Sequence, residues 1–214
     1  MALSTSPDLT KAQHTADIKA AEVVCVLGGP GVGKGTQCSR LAQDLDVVHI
    51  SVGDVLRRQR EGPSDFGNLI DKQMREGSLV PAGIVIAALE SEIVANLNAH
   101  KKRFLIDGFP RNTEQASILE DKVGQCKAAL YFDCSKETML KRVLRRAETS
   151  GRVDDNVDTF EKRYQGFLDD STPVLGFFQS RDKFIKIDCE PPLEEIYDDL
   201  QKIVHDIFTA MEPS

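Results

Sequence analysis

The sequence predicts an α/β fold: five parallel strands in one sheet, with helices covering both faces. Three observations predict it. Short apolar runs suited to buried strands recur along the chain: Val23 to Leu27, Val47 to Ile50, Phe104 to Asp107, Ala128 to Asp133 and Phe184 to Asp188. Helix-forming segments lie between them, and such alternation makes a parallel sheet. The first run leads straight into a glycine-rich stretch that opens a helix.

That stretch is Gly28-Gly29-Pro30-Gly31-Val32-Gly33-Lys34-Gly35-Thr36, followed by Cys38, Leu41, Ala42 and Leu45 at helical spacing. Strand, turn and helix together make a phosphate cradle, a P-loop. Glycines let the backbone bring its N–H groups close to an anion, and the helix N-terminus adds partial positive charge. Lys34 supplies a mobile point charge that can follow a phosphate. One feature departs from the usual P-loop: Gly35 stands where Ser or Thr normally follows the Lys, and Thr36 comes next. The hydroxyl that normally holds Mg²⁺ is displaced by one residue, so the metal is expected to be held mostly by nucleotide phosphates and water.

Composition narrows the function classes. The 214 residues fit one domain carrying inserted flaps, and 41% hydrophobic residues suffice for a core. A net charge of −7 argues against nucleic acid or an anionic membrane as the main partner. The five Cys show no C-x-x-C pair and read as reduced core thiols of an intracellular protein. No apolar run reaches transmembrane length. Residues 1–21 are polar and small and read as a flexible tail, with the domain in 22–214.

After the second strand run, Ser51 is placed to cap a helix, with Asp54 three residues on where a capping box wants an acid. His49 reads as a plain strand residue. Residues 51–80 form a helical insert, with a polar break at Gly62-Pro63, and Pro81 begins another helix. The third run ends in Asp107-Gly108-Phe109-Pro110-Arg111. A carboxylate at a strand's end beside a P-loop is suited to holding Mg²⁺ through water, and Arg111 is suited to gripping phosphate. The helix after the fourth run is expected to bury Met139, Leu140, Val143 and Leu144. Turn formers from Ser150 to Asn156 then present Arg152 beside Asp154 and Asp155, which suits a mobile cover over phosphates. The next helix is expected to turn Phe160, Tyr164, Phe167 and Leu168 inward. The last helix follows Pro191-Pro192, with Leu193, Ile196, Leu200, Ile203, Val204 and Ile207 on one face. Moving a phosphoryl group between two anions requires both to be gripped, and the cations for that are present.

These residues resemble the nucleoside monophosphate kinases, the adenylate and UMP-CMP kinase family, and most closely the fungal-type uridylate kinases. The resemblance covers nearly the whole chain from about Val23 to Ile207, and Phe104-Leu105-Ile106-Asp107-Gly108-Phe109-Pro110-Arg111 is its most specific run. It implies a P-loop NTPase fold with an NMP-binding insert (51–80) and a short lid (146–156). It implies that Gly31, Val32, Gly33, Lys34, Gly35 and Thr36 bind the phosphates of ATP, with Arg146 and the backbone near Pro191 completing that site. Arg57 and Arg111 would grip the acceptor phosphate. Ser78, Leu79 and Val80 would line the acceptor's base and sugar, Gln115 would reach the base, and Ser51, Gly108, Phe109, Pro110 and Asn112 would also bind the monophosphate. Arg146, Arg152 and Arg163 would close on the phosphates, with Asp154 and Asp155 organising the lid. Asp107 would hold Mg²⁺ through water. The short lid has no Cys cluster, so no structural zinc is expected there.

The implied reaction is transfer from Mg-ATP to UMP or CMP, with dCMP and AMP as further acceptors, giving ADP and the nucleoside diphosphate in pyrimidine metabolism. Val52 and Asn112 point to UMP and CMP, although Val departs from both the Thr of adenylate kinases and the Ala of pyrimidine kinases. Gln115 and the run from Glu148 to Asn156 point to an adenylate kinase, the alternative. A non-catalytic nucleotide switch is a further alternative, set against the retained cations. A monomer is expected, located in the cytoplasm, with the nucleus a second candidate.

Overall fold

A computed structural model describes residues 18–60 and 65–210. The sheet has five parallel strands: β1 (Glu22–Gly28), β2 (Val48–Ser51), β3 (Arg103–Asp107), β4 (Ala128–Asp133) and β5 (Phe184–Asp188). Their spatial order is β2-β3-β1-β4-β5. Thus β1 is central, with Val24 level with Leu105 on β3 and with Ala128 on β4. The order reverses beside β1, and ligands of open parallel sheets bind at the strands' carboxyl ends at such a point.

Successive side chains of a strand point to opposite faces, so β1 feeds two cores. Val24 and Val26 pack with α1 (Lys34–Asp44), α6 (Lys136–Ser150) and α9 (Leu193–Thr209), through Leu41, Val143 and Leu200 among others. Val23, Cys25 and Leu27 share the other core with α4 (Ala82–Asn98), α5 (Thr113–Lys122) and α8 (Thr172–Gln179), through Leu89, Leu119 and Phe178. The insert is α2 (Val52–Arg60) and α3 (Asp65–Glu76), while α7 (Val157–Gly166) follows the lid turn. The expected break at Gly62-Pro63 lies outside the described residues, as does the expected tail except for residues 18–21. Those four are not loose: Ile18 is buried, and the Lys19 ammonium donates to the carbonyl of Glu120 at 3.2 Å.

Four details differ from the sequence reading. Helices α5 and α8 have no counterpart in it; both are short, and α5 is capped by Asn112, a residue read as a ligand contact. Leu144 is exposed, because the buried stripe of α6 runs through Met139 and Val143, and Leu144 sits a further 100° round the helix. Leu168 is exposed because the helix widens to a π-turn over Phe167–Ser171, which rotates the following side chains. Asp54 does not complete a capping box. The Ser51 hydroxyl accepts from the Asp54 N–H at 3.3 Å, but the Asp54 carboxylate points at arginines.

Candidate active site

At the carboxyl ends of the strands lies a cleft of about 1560 Å³. A pocket for one small ligand holds about 300–1000 Å³, so this one is large enough for two nucleotides. One wall is the P-loop. Gly31 has φ +82, and a Cβ there would stand 2.4 Å from the carbonyl oxygen of Met139. Only glycine lets the loop press onto α6 in this conformation. Lys34 lies deep in the cleft, and its ammonium donates to the carbonyls of Gly28 (2.8 Å) and Gly29 (2.9 Å). Burial pushes its pKa down to about 8, against the opposing pull of Asp107 and with the push of Arg111 and Arg163.

Facing that wall are five arginines from five segments of the chain. Arg111 follows β3; its Nε donates to the Gly108 carbonyl at 3.0 Å, and burial lowers its pKa despite Asp107. Arg57 on α2 and Arg152 in the lid turn share one oxygen of Asp54, at 2.5 Å and 3.0 Å. Burial pushes the Asp54 carboxyl up, but the hydrogen bond and charge of Arg57, with help from Ser51 and Arg152, leave it below the usual range. Arg146 on α6 forks onto Asp155 through Nε (2.8 Å) and Nη2 (2.6 Å), and the hydrogen bond to that carboxylate raises its pKa. Arg163 on α7 pairs with the buried Asp154 at 2.6 Å, and burial brings it down to about 10. The insert also packs against α7: a Cβ at Gly77, where φ is +71, would stand 3.3 Å from Arg163 Cγ.

Asp107 ends β3, faces the start of α1 and stands 3.5 Å from His49 Nε2. A Cβ at Gly35 would come within 3.5 Å of its Oδ2, so position 35 looks directly onto the carboxylate. Among the described residues no cluster of three or more His, Cys, Asp or Glu could hold a metal alone. One carboxylate beside a phosphate cradle does fit a magnesium ion that arrives with the nucleotide and keeps its waters.

A P-loop and a second set of phosphate-seeking cations in one cleft belong to enzymes that join two phosphorylated ligands. The sequence profile described as "Adenylate kinase" matches residues 26–183. The chain belongs to the adenylate kinase family. "Uridylate kinase" of Saccharomyces cerevisiae is 43% identical over 86% of this chain and 91% of its own length. The Schizosaccharomyces pombe protein of the same name is 44% identical over 84% and 95%. "UMP-CMP kinase" of Homo sapiens is 40% identical over 85% and 95%. The chain is therefore a nucleoside monophosphate kinase, a phosphoryl-transferring enzyme.

In this kinase, Gly31, Gly33, Lys34, Gly35, Thr36, Ser51, Arg57, Ser78, Leu79, Val80 and Asp107 line the cleft. So do Gly108, Phe109, Pro110, Arg111, Gln115, Arg146, Arg152 and Arg163. Three expected contacts do not. Val32 is buried against the neighbouring core, Asn112 spends its side-chain oxygen on the N–H of Gln115 (2.9 Å), and Leu193 rather than Pro191 reaches the cleft. Arg142 was missed: it lines the cleft and donates to the carbonyls of Val32 (3.2 Å) and Cys189 (3.0 Å), tying the P-loop to the turn before α9. Its i, i+4 spacing to Arg146 on one helix face was the available signal. No helix is long and apolar enough to cross a membrane among the described residues.

Proposed function

We propose that this kinase transfers the γ-phosphoryl group of Mg-ATP to UMP or CMP, with dCMP and AMP as slower acceptors. The products are ADP and a nucleoside diphosphate for pyrimidine metabolism. The carrying observation is that Lys34 on one wall faces Arg57, Arg111, Arg152 and Arg163 across one cleft. The names borne by the yeast and human relatives support UMP and CMP as acceptors. We place the enzyme in the cytoplasm, with the nucleus as a second site, acting as a monomer.

The P-loop backbone and Lys34 hold the donor's phosphates, and Arg57 and Arg111 hold the acceptor's. When bound, magnesium offsets charge on the donor's phosphates, with Asp107 holding its water. As the acceptor phosphate arrives, Arg57 and Arg152 exchange the Asp54 carboxylate for phosphate oxygens. Lid and insert close, water leaves, and the acceptor oxygen is aligned with the γ-phosphorus. The acceptor is already an anionic oxygen, so no strong general base is required.

A second reading, adenylate kinase, draws on Gln115. The Arg111 N–H donates to its Oε1 at 2.8 Å, so the amide nitrogen is the group left for a base. That donor suits the O4 of uracil, the N3 of cytosine and the N1 of adenine alike. Coupled ADP production with ATP and Mg²⁺ separates the readings, comparing UMP, CMP, dCMP, AMP and GMP. UMP or CMP in the lead supports the proposal; AMP in the lead makes this an adenylate kinase; no acceptor-dependent turnover refutes both.

A further inference from the structure

We propose that Cys25 and Cys126 close a reversible disulfide beneath the strand that carries the P-loop. Their Sγ atoms lie 3.0 Å apart, about 1 Å beyond the S–S bond length of about 2.05 Å. Among the described residues this is the one pair of sulfurs in contact. The main chain holds the pair together. Cys25 sits in mid-β1, and Cys126 sits in the turn entering β4, where the Lys127 N–H donates to the Val23 carbonyl at 2.7 Å. The ladder between β1 and β4 therefore holds the two main-chain segments in fixed register.

Both thiols are buried in one core with Ile18, Leu119 and Val123. Residues 18–21 close over that end of the molecule through the Lys19 bonds to the carbonyls of Glu120 (3.2 Å) and Asp121 (2.5 Å). Burial also pushes the Cys25 thiol up, so it stays protonated while covered. Oxidation therefore waits on the opening of this cover, and then the neighbouring thiol decides the product. With a peroxide as oxidant, one thiolate sulfur attacks the O–O bond, takes one oxygen as sulfenic acid, and the other oxygen leaves as water. The second thiol's sulfur then attacks the sulfenic sulfur; the S–S bond forms, the S–O bond breaks, and a second water leaves. Two thiols lose two protons and two electrons, and the peroxide takes them up to become two waters. A sulfenic acid with a thiol already in contact closes to the disulfide before it can be oxidised further.

The resulting loop encloses the P-loop, the insert and β3, and such a cross-link acts chiefly by restricting the unfolded chain. The test treats the full chain with hydrogen peroxide in native buffer, then alkylates it under denaturing conditions and digests it without reductant for mass spectrometry. The expected result is one peptide pair joining Cys25 to Cys126, two hydrogens lighter, with Cys38, Cys134 and Cys189 alkylated. Dithiothreitol should reverse it, and the melting temperature should rise by roughly 5 °C or more on oxidation. Cys126→Ala should lose the linked pair and Cys38→Ala should keep it. All five cysteines alkylated after treatment, a link through another cysteine, sulfinic acid at Cys25 or Cys126, or a link formed only in denaturant would each overturn the proposal.

Discussion

The two walls of the cleft hold positive charge in different ways. On the P-loop wall the charge is one lysine and a set of backbone dipoles, and Lys34 rests on carbonyls alone. On the facing wall Arg57, Arg146, Arg152 and Arg163 each rest on a carboxylate: Asp54, Asp155, Asp54 and Asp154. Arg111 is intermediate, held by the Gly108 carbonyl. The P-loop wall is thus ready for an anion as it stands. The other wall must give up carboxylates to receive one, and under the proposed mechanism Arg57, Arg146 and Arg152 sit on the insert and lid that would close. On the proposed function, one wall would fix where the donor lies and the other would decide when the site is complete.

The strongest way to break this contrast is Lys34→Met. It should lower kcat by about 10²–10³-fold or more, as loss of a preorganised charge stabiliser does. The melting temperature should stay near wild type, since a buried cation is removed; retained turnover would refute the role. Arg111→Ala should cost about 10²-fold in kcat/KM for the monophosphate and leave KM for ATP nearly unchanged, read by steady-state kinetics with each substrate varied.

A pH profile sharpens the contrast. With its pKa down at about 8, Lys34 in the empty kinase loses its proton above that pH. The kcat/KM for ATP should then fall by up to tenfold per pH unit, and kcat at saturating ATP should fall only at higher pH. Stability runs the opposite way. Between pH 8 and the ordinary lysine value of about 10.4, the unfolded chain binds more protons than the folded one at this group. Its contribution to stability therefore rises with pH across that window. A kcat/KM that stays level to pH 9 contradicts the assignment.

Smaller effects lie on the moving wall. Asp54→Asn removes the charge that Arg57 and Arg152 rest on, so the acceptor's KM should fall by about two- to tenfold. Asp54 is half-exposed, so the melting temperature should change little. Weaker acceptor binding in that variant would mean that Asp54 positions the arginines rather than competing with phosphate. Val52 is buried and lines the cleft. Val52→Thr should shift the ratio of AMP to UMP turnover by a few-fold toward AMP, measured as relative kcat/KM.

Much of this contrast could be read from the chain, and the part that could not has a physical cause. The P-loop, the strand-end Asp107 and Arg111 are local: neighbours in sequence make the geometry. Pairings such as Arg152 with Asp54 join residues from insert and lid, and nothing at either position names its partner. Asn112 shows the converse: the sequence expects it to bind the monophosphate, and the structure adds that its side-chain oxygen caps a short helix, which no local pattern announces. Beyond its spacing to Arg146, Arg142 has no local sequence signature of its role; only the fold reveals that the P-loop and the turn before α9 meet over it.

The central claim is that acceptor phosphate, by displacing carboxylates from the insert and lid arginines, completes the site. The direct measurement is ADP formation from Mg-ATP with and without saturating UMP, in one assay. The account predicts that transfer exceeds hydrolysis by at least about 10³-fold, because water meets an incomplete site. Hydrolysis without acceptor at a rate close to transfer would contradict it.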